Sequence, residues 1–228
     1  LQSQNFYTIK FHTWCELEFD LEMVTKVCPQ FPDIEFMIDC EQRYLRDEAL
    51  RLGQRLDELN FVWLEAPFND YDWDSYRWLR ERIATPVLGA GNSILDPYQI
   101  DQALKNDVFH HARVDTTYVG GITQSLKIMK IAEKYNKNTE LQSWSYPLGQ
   151  AANLHMMLSH ENCKYFEQVV PYENHEHAAK NFIRTDKFGY VRPNLEPGLG
   201  IEIDWDVVNR DWYSHIHLDE KGLQSQVR

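Results

Sequence analysis

The sequence predicts an α/β fold: a modified TIM-type (β/α) barrel in which seven strands are visible and the first βα unit is missing. Three observations predict it. Short β-branched or aromatic runs alternate with amphipathic stretches of helical period up to residue 170. The runs are continuously apolar, as parallel strands buried on both faces should be. Chemically distinctive residues follow them at a near-constant interval: Asp39, Glu65 and Gly91 stand 26 residues apart, and Asp115 follows 24 later.

Strands are expected at 7–10, 34–38, 61–64, 87–88, 112–114, 141–144 and 164–166. The helix at 19–28 carries Leu21, Val24 and Val27 on one face, and the one at 48–59 carries Leu50, Leu52, Leu56 and Leu59. Four more are expected at 75–83, 97–104, 123–135 and 150–158. Asp47 is placed to cap the second helix, and Asp96 followed by Pro97 to open the fourth. Gly120 and Gly121 precede the fifth. Seven strands also suit an open doubly wound sheet, whereas a closed barrel takes eight. The chain begins almost in a strand, which favours a barrel over 1–178 without its first unit. The pattern changes after residue 175. Residues 181–206 read as short strands and turns, with turn signals at 186–189 and 197–200, so 179–228 is expected to be an appended β element.

Composition narrows the partners. The 228 residues carry a net charge of −12, from 35 acidic and 23 basic side chains, and no basic stripe offsets it. Nucleic acid is therefore not an expected partner, because phosphate contacts need clustered Lys and Arg. A bound cation fits such a balance, since carboxylates are its natural ligands. No run approaches the ~20 apolar residues of a membrane helix, so no membrane association is expected. Cys15, Cys28, Cys40 and Cys163 form no C-x-x-C pair and sit in or beside apolar segments. They read as reduced thiols of a cytoplasmic protein.

In β/α barrels the chemistry lies at the C-terminal strand ends. There the sequence places Lys10 with His12, then Asp39, Glu65, the Gly91–Asn92 pair, Asp115, residues 142–144 and Glu167. Asp39 and Glu65 each close an apolar run. Two carboxylates at one rim repel unless a proton or a cation joins them, and hard oxygen ligands favour Mg²⁺. Capping of the next helix, or pairing with a rim Lys or Arg, is the bland alternative. Lys10 and His12 alternate on one strand and so face the same side. Histidine titrates near neutrality, and a lysine desolvated beside a cation can serve as a base.

These motifs together resemble the mandelate racemase and muconate-lactonizing branch of the enolase superfamily. The resemblance covers residues 6–206. It is carried by Ile9-Lys10-Phe11-His12, Met37-Ile38-Asp39, Trp63-Leu64-Glu65-Ala66-Pro67, and Asp115 five residues before Gly120-Gly121-Ile122-Thr123. Tyr165-Phe166-Glu167 and the segment from Pro197 to Asp204 complete it. The resemblance implies a modified barrel beneath a capping domain, with the C-terminal segment returning to that cap. It also implies Mg²⁺ held by three acids at consecutive strand ends, and abstraction of the proton next to a carboxylate. On this chain it implies Asp39 and Glu65 as metal ligands, Lys10 or His12 as base or acid, Asp115 as the aspartate of a His-Asp dyad, and Glu167 as partner of the substrate carboxylate.

Two positions depart from that pattern. Gly91 stands where the third acidic ligand belongs, with Asn92 one residue later offering an amide oxygen. No dyad histidine is present, since that strand end reads Gln142-Ser143-Trp144. The expected activity is a Mg²⁺-dependent lyase, a sugar-acid dehydratase taking aldonates or aldarates, working as a homo-oligomer at full length. A racemase, epimerase or cycloisomerase of acid sugars, and a non-catalytic acid-sugar-binding homologue, are the alternatives.

Overall fold

The computed structural model describes residues 5–212, 214–219 and 222–227. Six strands and six helices alternate through the first 158 residues: β1 (Thr8–His12), α1 (Leu17–Val27), β2 (Glu35–Asp39), α2 (Arg46–Glu58), β3 (Trp63–Glu65), α3 (Trp73–Arg80), β4 (Val87–Leu88), α4 (Pro97–Lys105), β5 (Ala112–Val114), α5 (Ile122–Lys134), β6 (Thr139–Leu141) and α6 (Pro147–Leu158). The expected elements agree with these to within a few residues at their ends. Strands β1 to β4 form a parallel sheet in chain order, and β5 pairs in parallel with β6.

The sheet has two faces because side chains alternate along a strand. Ile38, Leu64, Val87, Ala112, Val114 and Leu141 point toward the helices and join Leu52, Leu56, Leu79, Leu104 and Ile128 in one buried cluster. Met37, Trp63 and Leu88 point the other way and form a second, smaller cluster with Tyr165 against it. That inner layer lies directly below the polar strand ends.

Helix starts follow local chemistry. Asp96 accepts the backbone N–H groups of Tyr98 and Gln99, as expected of a cap before Pro97. Asp47 does not cap α2. It lies in the first turn, and Glu48 instead reaches back to the N–H of Leu45. Gly121 adopts a φ of 98° before α5, a left-handed value that favours glycine.

Two expectations change. Residues 164–166 form no strand, so six of the seven expected strands before residue 170 are found among the described residues. The N–H groups of Lys164 and Tyr165 face the Glu140 carboxylate, at 3.4 Å each, so a side chain takes donors a ladder would use. The segment 181–206 contributes a single bridge, Ala179 to Ile203, held within turns. It leads into a helix that the sequence did not suggest, α7 (Trp205–Asp211), capped by Asp204, and then a hairpin of β7 (Ser214–Asp219) and β8 (Gly222–Val227). Cys28, Cys40 and Cys163 are buried free thiols, and burial pushes each of them up in pKa.

Candidate active site

Backbone register builds the site. His12 pairs with Asp39, and Asp39 with Glu65, so three adjacent strands end on one rung. Lys10 lies two residues back on β1, one layer deeper on the same face. A cavity of about 290 Å³ opens above this rung, lined by Lys10, His12, Asp39, Asn92, Gln142 and Glu167 among others.

Below the cavity lies an ion-pair cluster. The Lys10 ammonium is 2.7 Å from Glu167 Oε1, 3.1 Å from Glu65 Oε2 and 3.7 Å from Asp39 Oδ2. Arg113 Nε donates to Glu65 Oε1 at 2.9 Å, and its Nη2 donates to Glu167 Oε2. The indole of Trp63 donates to Glu65 Oε2 at 3.2 Å. Glu65 is fully buried and Arg113 nearly so. Removing charges from water is costly, and only dense mutual pairing makes such a group tolerable.

Protonation follows that pairing. Burial works against the charge on Lys10, as does Arg113, yet Glu167, Glu65 and Asp39 raise its pKa above the usual 10.5. Three carboxylates thus hold Lys10 as an ammonium in this arrangement. Burial also opposes the charge on Glu167, but Arg113 and Lys10 outweigh it and hold the carboxyl at about 2. Burial raises the pKa of Glu65 above 4.5, with Arg113 and Lys10 pulling the other way.

His12 is different. Its side chain is 47% exposed, and Nε2 lies 2.6 Å from Glu41 Oε1 and 3.9 Å from Asp39 Oδ2. Glu41 sits on the turn after β2 with a φ of 50°, and its N–H donates to Asp39 Oδ1. Ligand atoms of His12, Asp39 and Glu41 lie within 4.8 Å of one another. Trp144 stands against the His12 ring, with centroids 6.2 Å apart.

Asn92 lies at the cavity and Glu65 on the rung, as expected, each with its oxygens engaged, whereas Asp115 lies away from the cavity. Asp115 is buried, and its Oδ1 accepts from the Thr117 N–H, the Thr117 hydroxyl and the Asn153 amide. It anchors the β5 turn to α6 and does not line the cavity. Asn92 lines the cavity, but its Oδ1 accepts from the Ser93 hydroxyl. Glu65 lies beneath the cavity with both oxygens engaged.

The resemblance implies Mg²⁺ at these donors. An octahedral ion needs carboxylate oxygens open to it and to its waters. Glu65 has no free oxygen, Gly91 offers no side chain, and a guanidinium stands 2.9 Å from Glu65. Asp39, Glu65 and Asn92 do not fit the ion as a set.

Sequence reasoning missed Arg113 and Glu41. Arg113 had a signal: a charged residue between Ala112 and Val114, at the parity of a strand's inner face. Glu41 had none, because only the turn's left-handed backbone brings it to His12.

The fold is thus an α/β array of parallel strands with ionisable groups on one rung and a cavity above them. The chain belongs to the enolase C-terminal domain-like family, whose model matches residues 1–207. It is 28% identical over 206 residues to a D-galactonate dehydratase family member from Paenibacillus sp., covering 86% of this chain and 50% of that one. It is 25% identical to a D-mannonate dehydratase from Caulobacter vibrioides, covering 84% and 48%. Among solved structures, D-glucarate dehydratase from Agrobacterium tumefaciens, complexed with magnesium, superposes with a TM-score of 0.83 at 29% identity, over 92% of this chain and 57% of that one. A Pseudovibrio sp. protein with a provisional mandelate racemase/muconate lactonizing enzyme name superposes with a TM-score of 0.86 at 40% identity, over 90% and 55%. The chain thus spans about half the length of the relatives it matches. Among the described residues no helix is long and apolar enough to cross a membrane.

Proposed function

We propose that this chain is the barrel portion of a lyase that removes the proton α to the carboxylate of an acid sugar and eliminates water, giving a 2-keto acid. The observation that carries the reading is the pairing of unlike groups on one strand. Lys10 is an ammonium held by carboxylates, and His12, two residues on, is a half-exposed imidazole facing the same cavity. The likeness to galactonate, mannonate and glucarate dehydratases supports the substrate class.

In this reading the Lys10 ammonium attracts the substrate carboxylate and stabilises the negative charge that grows on it as the α-proton leaves. His12 takes that proton at Nδ1, while its Nε2–H donates to Glu41 Oε1 at 2.6 Å, which steadies the imidazolium. The C–O bond at the neighbouring carbon breaks, and the proton on His12 goes to the departing hydroxyl to form water. The enol then tautomerises to the ketone. Glu167 keeps both cations in place rather than binding substrate directly. Mg²⁺ is not part of this mechanism, given the engagement of Glu65.

The test is exchange of the α-proton in D₂O, followed by NMR, together with keto-acid formation, across a panel of aldonates and aldarates with the full-length protein. Exchange with keto acid supports the lyase. Exchange without it identifies a racemase, epimerase or cycloisomerase. Binding with neither identifies a non-catalytic acid-sugar-binding homologue. One observation favours that last reading: Asp115 gives Oδ1 to Thr117 and Asn153, with no histidine to orient.

A further inference from the structure

We propose that Arg113 is the resident cation of this site, seated on Glu65 where the family pattern calls for a divalent metal, and that Gly91 is the residue that admits it. The inference does not depend on which reaction the site performs.

The two residues fit only as a pair. A Cβ built on Gly91 would lie 2.6 Å from Arg113 Cγ and 2.9 Å from the Arg113 carbonyl oxygen. A side chain there, an acid included, would occupy the path of the arginine stem. Gly91 also has a φ of 76°, which other residues adopt at a cost. The position that the resemblance assigns to the third acidic ligand thus has no side chain, and the stem of Arg113 fills the space one would take.

Charge gives the exchange its sense. Lys10 and Arg113 face Asp39, Glu65 and Glu167, leaving one formal negative charge. An acid at position 91 and a neutral residue at 113 would make the same cluster two units more negative, which is the charge a divalent ion carries. A guanidinium meets carboxylates through fixed, directional N–H groups, and here it spans two of them, Glu65 through Nε and Glu167 through Nη2. Lys10 and Trp63 take the remaining oxygen of Glu65. A metal would have to displace Arg113 to reach one oxygen of Glu65, or Lys10 and Trp63 to reach the other.

Mn²⁺ is the probe, with the full-length protein. Crystals grown with millimolar Mn²⁺ should show no anomalous peak on Glu65, and chelator treatment should leave the melting temperature unchanged. An ion bound by His12, Asp39 and Glu41, with the Glu65–Arg113 pair intact, also supports the proposal. The double variant Gly91→Glu/Arg113→Ala should bind Mn²⁺ at least tenfold more tightly than the parent, measured by EPR titration. A Mn²⁺ ion at bonding distance from a Glu65 oxygen, with Arg113 swung away, would overturn the proposal. So would a folded double variant with no gain. If that variant does not fold, the anomalous map of the parent protein decides.

Discussion

Gly91 and Arg113 lie so close that one added carbon on the first would overlap the side chain of the second. Gly91→Ala should therefore displace the guanidinium from Glu65 as well as strain a left-handed backbone position. Backbone strain alone costs about 1–3 kcal/mol. Urea denaturation should show a loss of at least that size, and a loss under 0.5 kcal/mol would mean the stem moves aside freely (surface-like behaviour, on the order of ±0.5 kcal/mol).

Arg113→Met should be among the most damaging single changes in the chain. It keeps an apolar stem but removes the guanidinium that Glu65 and Glu167 share, leaving Lys10 to face both carboxylates. Breaking a buried pair from one side costs about 3–5 kcal/mol. Adding Glu65→Gln should recover part of the loss, so the double-mutant cycle should give a coupling of at least about 1 kcal/mol.

His12 should behave in the opposite way. Its ring is half exposed, hydrogen-bonded to Glu41 and tilted against Trp144. His12→Asn should leave the melting temperature nearly unchanged while lowering α-proton exchange by about 100-fold or more. A variant that keeps full exchange would remove His12 from the chemistry.

Asp115 separates anchoring from catalysis. Asp115→Ala deprives Thr117 and Asn153 of an acceptor in a buried setting. The expected cost is about 1–3 kcal/mol of stability. Ligand affinity in isothermal titration should stay within about twofold of the parent, because the side chain does not line the cavity (a twofold change is about 0.4 kcal/mol).

Acid sensitivity should trace in part to His110. Its Nδ1 accepts the Val87 N–H at 2.8 Å, and burial, with help from Arg80 and His111, pushes the ring down to about 4 from 6.5. The unfolded chain then binds the proton more readily than the folded one, so the contribution is complete above pH 6.5 and falls away as pH drops toward 4. Denaturant midpoints measured between pH 7 and pH 4 should fall less steeply in His110→Gln than in the parent.

Much of the fold was legible because burial on both faces writes itself into short apolar runs. Residues 36–38 and 62–64 announce their strands, and the acids after them announce a rim. What was not legible depends on contacts distant in sequence. Lys164 and Tyr165 look like strand residues, yet Glu140 takes their N–H groups. Asp47 looks like a cap, yet Glu48 has the reach to do the work. In the site, Lys10 and His12 were legible as neighbours, but not their division into an ammonium held by carboxylates and a half-exposed imidazole. That division comes from Glu65, Glu167 and Arg113 converging on Lys10's side, and from Glu41 arriving on a left-handed turn.

The register of His12, Asp39 and Glu65 brings three strand ends onto one rung. Such a rung is set by hydrogen bonds between strands, and the connections on the opposite rim play no part in it. The links entering β3 and β4, at 59–62 and 81–86, could lengthen by several residues at little energetic cost, since loop closure grows only slowly with length. A single residue slipped within β2, by contrast, would turn Asp39 toward the helices and Ile38 toward the cavity. Change along this chain is thus permitted by location: generous on one rim, quantised in steps of two on the strands themselves.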